Sequence, residues 1–457
     1  MKYILYILIC FTLFSCDDFL DVKPKNKTIP VYTTDYERLL NYIKNCKGSS
    51  VKLTYATDDA YIDDAYYNSI YSDENKDAYF FDGWLSSPDD YTWNESYAKI
   101  FTFNTIIEEV LNSEDGSEEL KYQVYGEALM CRAFEYFMLV NIYAKHYNEQ
   151  TSDSDPGVPL LLHNDINRKN FPRNTVKEVY EQIDRDIDEA IKYIPEKIFN
   201  KYRGSYVAAI GLKAKISLYK GDYTNALKYS DESLSKYNYL EDYNQYEVID
   251  DLANFRRINI ISSQECQENI FTRFHTYVYG SSGSVLASNS LSALFDDNDK
   301  RWELFYTDND PRHPDDKPGG YRLFKRYDYS PNFALTVPML YLIRAECYAR
   351  KGEVEIAMND INHLRRYRIK TELYQELTAN DAGDALRIVL EERRRETAFD
   401  GNRWFDLKRL NKESETATTI TRTIGGETKV LNPGDTYYIH PICSSVRAQH
   451  PDWEYYY

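Results

Sequence analysis

Apolar residues recur at helical spacing in several separate stretches of the chain. This spacing predicts a short helix over 33–43, longer helices over 97–111, 119–147 and 176–194, and more helices within 335–411. Asn104 lies in the apolar seam of the second stretch, so we expect its side chain to satisfy a buried backbone group.

The stretch 119–147 differs from an ordinary surface helix. Between Ala128 and Ala144 it is apolar on nearly all sides, interrupted by Arg132, Glu135 and Asn141. Three polar residues of this kind argue against a membrane span. They favour a central helix that is surrounded by others.

Two segments share one spacing of small residues. In each, an alanine is followed by a glycine seven positions later and by an alanine after five more, at Ala214, Gly221, Ala226 and at Ala345, Gly352, Ala357. Small residues let paired helices approach closely, and the glycine falls where one helix turns into the next. The spacing is typical of the tetratricopeptide helix-turn-helix. A generic helical hairpin is the alternative interpretation.

Two long segments, 46–92 and 237–333, lack sustained helical periodicity and are rich in aromatic and polar residues. A structureless loop of that length is improbable inside a compact domain. We therefore expect irregular structure packed on the helices, which is where binding sites commonly lie. After residue 411 the chain is rich in Thr and Gly, and Gly425-Gly426 predicts a hairpin.

The stretch 391–410 combines dense charge with helical spacing. Asp384 is placed to cap a helix that runs to Gly401, and Glu391 and Arg395 can pair within it. Gly401 can end that helix at little steric cost.

A second helix is predicted directly after this glycine. Asn402 can cap it, and its apolar face carries Trp404, Leu407 and Lys408. From spacing alone, a charged helix exposed to solvent explains this region about as well as a packed one.

Composition restricts the class of partner. The formal net charge is −18, which argues against nucleic acid and anionic membrane surfaces, since both require basic surfaces. Tyrosine is unusually frequent, at 44 residues against 5 tryptophans. Its apolar ring and polar tip suit wet interfaces and the faces of sugars.

The first residues have the features of an export signal. Lys2 precedes an apolar run over 3–14, which is too short to span a bilayer and ends at Ser15-Cys16. This ending looks like a bacterial lipoprotein processing site. We predict a signal peptide over 1–15, lipidation of Cys16, and an acidic tether with an extended segment over 16–32.

The remaining cysteines, Cys46, Cys131, Cys266, Cys347 and Cys443, form neither a disulfide framework nor a metal-ligand pattern, so we expect each to be buried. No phosphate-binding loop, dinucleotide fingerprint, zinc-protease motif or nucleophile elbow occurs. With 73 acidic residues, the sequence cannot identify a carboxylate pair for glycoside hydrolysis. We predict no cofactor, no metal and no catalytic residue.

The stretch 391–410 strongly resembles the C-terminal signature of the SusD/RagB family, surface lipoproteins that capture nutrients for a partner outer-membrane transporter. The start of the mature chain, the segments 93–104 and 126–133, and both repeat segments share the resemblance.

The resemblance implies a mostly α fold, a right-handed superhelix of about four tetratricopeptide-like helix pairs with irregular ligand-binding insertions. We expect one domain over 33–457, with its helical scaffold mainly in 94–236 and 335–411. The ligand face would then lie in 46–92 and 237–333.

The same resemblance implies a binding protein without catalytic activity. It would bind oligosaccharide or polysaccharide at the outer face of the outer membrane, attached by its lipid anchor only. It would deliver this ligand to a SusC-like TonB-dependent barrel. Capture of peptides, as in RagB-like relatives, and a tetratricopeptide interaction scaffold without a small ligand are the alternatives.

Two tryptophans lie outside every predicted helix, Trp84 and Trp302, one in each irregular segment. We predict that they converge on one exposed surface where sugars stack, although burial in a small satellite core explains either ring alone. Polar and aromatic residues of the same segments are predicted to join them: Asp59, Tyr66, Tyr67, Tyr79, Tyr277, Arg326 and Tyr327.

Replacement of the predicted lipidation site tests the anchor. The Cys16→Ala protein should be lost from the outer-membrane fraction, because a processed lipoprotein is held by acyl chains on that cysteine. Flotation of membrane vesicles followed by immunoblotting measures the distribution. If the variant still floats with outer-membrane vesicles, the anchor lies elsewhere.

Overall fold

Helices make up most of the regular structure in the computed structural model of the chain. It describes residues 30–48, 51–70, 72–83, 88–165, 167–168, 171–247, 249–251, 256–258, 265–275, 285–307, 323–324 and 331–456. The predictions for the signal peptide and Cys16 fall outside these residues. Within them, no helix has the length and apolar character needed to cross a membrane.

The helices are α1 (Thr33–Leu40), α2 (Val51–Tyr55), α3 (Asp64–Ser69), α4 (Asp73–Phe80), α5 (Tyr91–Glu109), α6 (Glu118–Tyr143), α7 (Val176–Ala190), α8 (Tyr206–Lys220), α9 (Tyr223–Lys236), α10 (Asn289–Ser292), α11 (Lys300–Phe305), α12 (Val337–Lys351), α13 (Val354–Arg366), α14 (Ala382–Thr397), α15 (Arg403–Leu410) and α16 (Ser444–Gln449).

The strands are short: β1 (Lys47–Gly48), β2 (Ala60–Tyr61), β3 (Ile249–Asp251), β4 (Arg256–Ile258), β5 (Asn269–Phe271), β6 (Phe274–His275), β7 (Leu286–Ala287), β8 (Tyr306–Thr307), β9 (Leu323–Phe324), β10 (Leu335–Thr336), β11 (Ile420–Ile424) and β12 (Glu427–Leu431). The last two form the hairpin predicted at Gly425-Gly426, where both glycines have positive φ angles of 57° and 84°.

Both predicted tetratricopeptide pairs are present. α8 and α9 are joined at Gly221 and α12 and α13 at Gly352, and these glycines have φ angles of 78° and 85°. That left-handed conformation is the usual helix C-cap and favours glycine. α9 packs on α12, and α12 packs on α14, so the pairs stack on one another. The predicted mostly helical, tetratricopeptide-like fold is confirmed.

α6 is the central helix that the apolar pattern predicts, although it ends at Tyr143 and not at 147. It packs between α5 and α7, and its polar residues have internal partners. Arg132 donates two hydrogen bonds to the carboxylate of Asp186 on α7, at 2.8 and 2.7 Å, and one to Asn104 on α5, at 2.9 Å. Asn104 in turn donates to the carbonyl oxygens of Leu161 and His163, as predicted.

Several predicted boundaries are wrong at the level of local structure. The helix cap near residue 384 is Asp381, whose side chain accepts a hydrogen bond from the backbone N–H of Asp384. α14 ends at Thr397, before Phe399 at a φ of 61°, and not at Gly401. Asn402 occupies the cap position of α15, but its side chain contacts Asp400 and Lys215 instead. α1 stops at Leu40, and the segment 46–92 contains the short helices α2 to α4.

The five predicted buried cysteines are all buried and free of disulfides. The C-terminal tail also docks on the scaffold. Tyr438 packs against Trp404 with ring centroids 4.8 Å apart, and the His440 N–H donates to the Ile142 carbonyl at the end of α6.

The charged residues of α14 and α15, which we call the C-terminal cluster, are largely buried and hold distant parts of the fold. Glu392 on α14 forms an ion pair with Arg301 of α11 at 2.8 Å and accepts a hydrogen bond from Arg365 of α13 at 3.1 Å. One turn further, Glu396 binds Arg301 at 2.8 Å and Arg368 at 2.9 Å. The predicted pairing of Glu391 with Arg395 is present, with the charged atoms 3.8 Å apart. The pairs that Glu392 forms with residues distant in sequence have shorter distances, 2.8 and 3.1 Å.

A second group of pairs joins the two helices of the cluster to α12. Asp406 on α15 accepts from Arg393 at 2.7 Å and from Arg409 at 2.8 Å. Arg409 also pairs with Glu346 of α12 at 2.6 Å. The neighbouring Lys408 donates to the carbonyl oxygens of Asn141 and Ala144, which caps the end of α6.

Trp404 on α15 is 0% exposed, which makes it a packing residue and shows that this helix is packed. The Trp404→Ala protein should lose about 3–5 kcal/mol in free energy of unfolding, because the substitution leaves a large cavity. Chemical denaturation measures this loss. The matched control is Phe199→Ala, since Phe199 is 80% exposed and its truncation should change stability by less than about 0.5 kcal/mol. Full stability of Trp404→Ala would contradict its structural role.

The Asp406 carboxylate predicts acid sensitivity. Burial alone would raise its pKa, but the guanidinium groups of Arg393 and Arg409 outweigh burial and hold the pKa well below its usual range. The folded state therefore binds this proton more weakly than the unfolded chain. The ionised group stabilises the fold above about pH 4, and this contribution is lost as the pH falls further.

We expect the native protein to become less stable as the pH is lowered. Its free energy of unfolding, measured in urea, should decrease between about pH 7 and about pH 3. At neutral pH, the free energy of unfolding of the Asp406→Asn protein should be about 3 kcal/mol lower than that of the native protein, because one side of a buried ion pair is removed. Its stability should then fall less steeply with acid. An unchanged slope would show that other carboxylates govern acid unfolding.

Candidate functional site

A small four-stranded sheet joins the two irregular segments, in the strand order β2-β7-β9-β8. Tyr61 pairs with Leu286, Leu286 with Leu323, and Leu323 with Thr307. Three strand spacings place the backbones of Tyr61 and Thr307 about 14 Å apart. The two segments predicted to share a ligand face therefore meet in one sheet.

Beside this sheet, the Trp302 ring stacks on two other aromatic rings. The Trp302 ring is 5.1 Å from that of Phe295, with an interplanar angle of 24°, and 4.4 Å from that of Tyr306, at 27°. Phe295 and Trp302 are partly exposed, whereas Tyr306, the first residue of β8, is buried. We call these three rings the aromatic stack. It presents a partly exposed apolar surface.

Local sequence explains how Trp302 comes to lie in this stack. Asp299 caps α11 through a hydrogen bond from the backbone N–H of Arg301, at 2.9 Å. α11 is only six residues long, and Tyr306 follows at the start of β8. Trp302 and Tyr306 are four positions apart, so they emerge on the same side.

The stack rests on the C-terminal cluster through Arg301. The Arg301 guanidinium lies 5.9 Å from the Phe295 ring centroid and pairs with Asp299 at 2.7 Å. The same group binds Glu392 and Glu396 of α14, both at 2.8 Å. A surface held this way needs little rearrangement to accept a ligand.

Among the predicted tyrosines that the structure describes, Tyr67 alone is partly exposed. Tyr66 and Tyr79 are buried, and the Tyr79 hydroxyl both accepts from the Ile62 N–H and donates to the Ile62 carbonyl, at 2.9 and 3.0 Å. Tyr67 packs 6.3 Å from Tyr79, and the Lys76 ammonium lies 5.8 Å from its ring centroid. Tyr66 and Tyr79 are therefore packing residues, which corrects their predicted role.

Asp59 is also a correction. Its side chain is 1% exposed and accepts from Arg394 at 2.7 Å, so it is not available to a ligand. Arg394 bonds as well to Ser290 at 2.9 Å and lies 3.2 Å from Asp58. Arg394 thus pairs with the loop that follows α2. Asp59 acts by fixing the position of both irregular segments on α14.

The remaining predicted site residues, Trp84, Tyr277, Arg326 and Tyr327, lie outside the described residues. The convergence of Trp84 and Trp302 therefore stays a prediction. Sequence reasoning missed Phe295 and Tyr306. Their spacing from Trp302, seven residues before and four after, was the available signal.

The described residues contain no group of three or more His, Cys, Asp and Glu side chains arranged to hold a metal ion. Three carboxylates around the stack have cationic partners. Asp299 and Glu396 pair with Arg301, and Glu303 pairs with Lys300 at 2.6 Å.

The fold and this surface define a helical-repeat protein that presents an aromatic surface on irregular insertions. Comparison with known families gives two matches. A SusD-like family described as starch-binding associating with outer membrane matches residues 18–218, and the SusD family matches residues 340–456. The chain belongs to the SusD/RagB family.

Relatives extend along most of the chain. SusD-like protein P38 of Formosa agariphila is 23% identical over 393 residues, which cover 72% of this chain and 74% of that protein. SusD-like protein P2 of the same organism is 24% identical over 377 residues, or 71% and 72% of the two chains.

Solved structures show the same fold. A SusD-like carbohydrate binding protein from Bacteroides vulgatus aligns with a TM-score of 0.69 at 20% identity, over 93% of this chain and 97% of that one. A SusD superfamily protein from Bacteroides thetaiotaomicron aligns with a TM-score of 0.70 at 18% identity, over 93% and 99%.

Proposed function

We propose that this protein is a cell-surface lipoprotein that binds an oligosaccharide or polysaccharide on the aromatic stack and delivers it to a SusC-type TonB-dependent outer-membrane transporter. The observation that carries the proposal is the partly exposed stack of Phe295, Trp302 and Tyr306, held on a buried ion-pair network. One matching family is described as starch-binding, and one solved relative as carbohydrate-binding.

The chemistry of the surface suits a sugar. A pyranose ring has an apolar C–H face, which packs well on the flat face of an indole or phenyl ring. Half-buried charged groups next to the stack, Glu303 and Lys370, provide an acceptor and a donor for the hydroxyl groups at the edge of the sugar ring. Such a combination of apolar platform and few polar groups is typical of small-ligand sites.

The proposed mechanism is capture without turnover. The stack is fixed by Arg301 before any ligand arrives, so a sugar loses little affinity to rearrangement of the protein. A lipid anchor at Cys16 would keep the protein at the outer membrane, next to the transporter that receives the ligand. The description of one matching family as associating with the outer membrane supports this location.

Truncation of Trp302 tests the site. Soluble protein lacking residues 1–16 is screened on a glycan array, and the affinity for a bound glycan is then measured by calorimetry. Trp302→Ala should weaken binding by at least about tenfold, because the central ring of the platform is lost. Trp302→Phe should keep most of the affinity, because it retains an aromatic face.

The matched control is Tyr122→Ala. Tyr122 is also an exposed ring stacked on another, with its centroid 4.9 Å from that of Tyr193, but it belongs to α6. Its removal should leave glycan affinity unchanged. Equal binding by Trp302→Ala and the native sequence would refute the site. Binding of peptides with no binding of any glycan would favour the peptide-capturing alternative.

A further inference from the structure

The C-terminal tail forms a small pocket with the end of α6, which we call the tail pocket. The space in it is about that of one water-sized group, so it can take a single functional group and not a whole sugar ring. The rings of the aromatic stack are not among the described residues that line it. These are 439–442, Tyr143, Arg173, Arg447, Tyr455 and Tyr456.

Arg173 brings to the tail pocket a cation that has no carboxylate partner among the described residues. Its Nε donates to the Gly157 carbonyl at 2.8 Å, and its two terminal nitrogens donate to the carbonyls of Tyr143, at 3.1 Å, and Glu454. These bonds dock the tail on the end of α6, but carbonyl groups do not neutralise the charge. A guanidinium has five N–H donors, so one donor on each terminal nitrogen remains.

The surroundings of Arg173 differ from those of the arginines in the C-terminal cluster. Burial acts to lower the pKa of Arg409, but the Glu346 and Asp406 carboxylates outweigh it and hold that pKa above its usual range. At Arg173 burial outweighs the neighbouring groups, so its pKa lies below the usual range. A half-buried cation without a counter-ion is costly, and an anion bound at Arg173 would reduce this cost.

A second guanidinium lines the tail pocket. Arg447 of α16 lies 4.9 Å from the centroid of the Tyr455 ring, and Arg173 lies 5.7 Å from the same centroid. Arg173 is also 5.3 Å from the centroid of Tyr456. Two cations held against one ring repel each other, and an anion between them would relieve this repulsion.

The acidic group beside the tail pocket is Asp90. Its carboxylate lies 3.4 Å from His440 Nδ1, but it accepts hydrogen bonds from the Tyr143 hydroxyl and the Thr92 N–H, both at 2.8 Å. Asp90 does not itself line the pocket, and the described residues that do include two arginines, one histidine and no acid. The pocket therefore favours an anionic group.

We infer that the tail pocket binds the carboxylate group of a small organic acid, such as a uronic acid. A planar carboxylate accepts two parallel N–H bonds from a guanidinium, which is the number of donors that Arg173 retains. Tyr455 and Tyr456 are half-buried, so the ring of a uronic acid can pack against them outside the pocket. The inference does not rest on the proposed function.

The test is a titration of the soluble mature protein, without residues 1–16, with sodium glucuronate at constant ionic strength, followed by ligand-observed NMR. Glucuronate should bind at least about tenfold more tightly than glucose, which has a similar ring without the carboxylate. Arg173→Gln and Arg447→Gln should each weaken glucuronate binding by at least about fivefold, because each removes a cation from the pocket. Thermal melting of each variant shows whether the fold is kept.

Two control variants keep the pocket intact. Arg185→Gln makes the same change at an exposed arginine of α7, and it should leave glucuronate binding unchanged. Trp302→Ala should also leave it unchanged, because the aromatic stack is a separate surface. Loss of glucuronate binding with Trp302→Ala would assign the acid to the stack and overturn the inference.

The remaining outcomes decide between ligands. Equal binding of glucuronate and glucose, or binding that neither Arg173→Gln nor Arg447→Gln weakens, would overturn the inference. If Arg173→Gln unfolds the tail, Arg447→Gln alone decides. Sodium acetate that displaces glucuronate at similar concentrations would support a site for organic acids in general, whereas weaker displacement would support a uronic acid. Displacement by sodium sulfate at lower concentrations than by acetate would overturn the assignment to a carboxylate.

Discussion

The buried pairing of arginines with carboxylates around α14 is the interaction on which the rest of this structure depends. Removing these charges from water is costly, and an arginine left without its carboxylate would be strongly destabilising. Alternative packings of α11, α13 and α12 against α14 and α15 are therefore disfavoured. Arg301 binds three carboxylates and Arg368 and Arg409 bind two each, so the positions of these elements depend on one another.

This network explains how segments with little regular structure form a defined surface. The strands of the four-stranded sheet are two residues long, too short for their own hydrogen bonds to fix them. Arg394 instead ties both segments to α14, through Asp59 in one and Ser290 in the other. Arg301 fixes the aromatic stack in the same way. The irregular insertions thus have a rigid base, although they contain few backbone ladders.

The sequence predicts those elements whose residue pattern repeats within one short stretch of the chain. Helical periodicity located α5, α6 and α7, and the alanine and glycine spacing located both tetratricopeptide pairs, because those patterns repeat within one element. The partners of Glu392 and Asp59 are distant in sequence, and no periodicity reports them. For the same reason Asp59 was predicted to meet a ligand. Trp302 was identified by its type and segment, whereas the rings that complete its stack required knowing where α11 begins.

The C-terminal cluster also connects the aromatic stack with the central helix α6. Glu392 and Glu396 hold the stack through Arg301, and Lys408 on α15 caps the end of α6, on which α5 packs. The aromatic stack and the central helix are therefore positioned by the same pair of helices, α14 and α15. Because buried ion pairs hold the stack, the surface on which we propose that a glycan binds is formed before any ligand arrives.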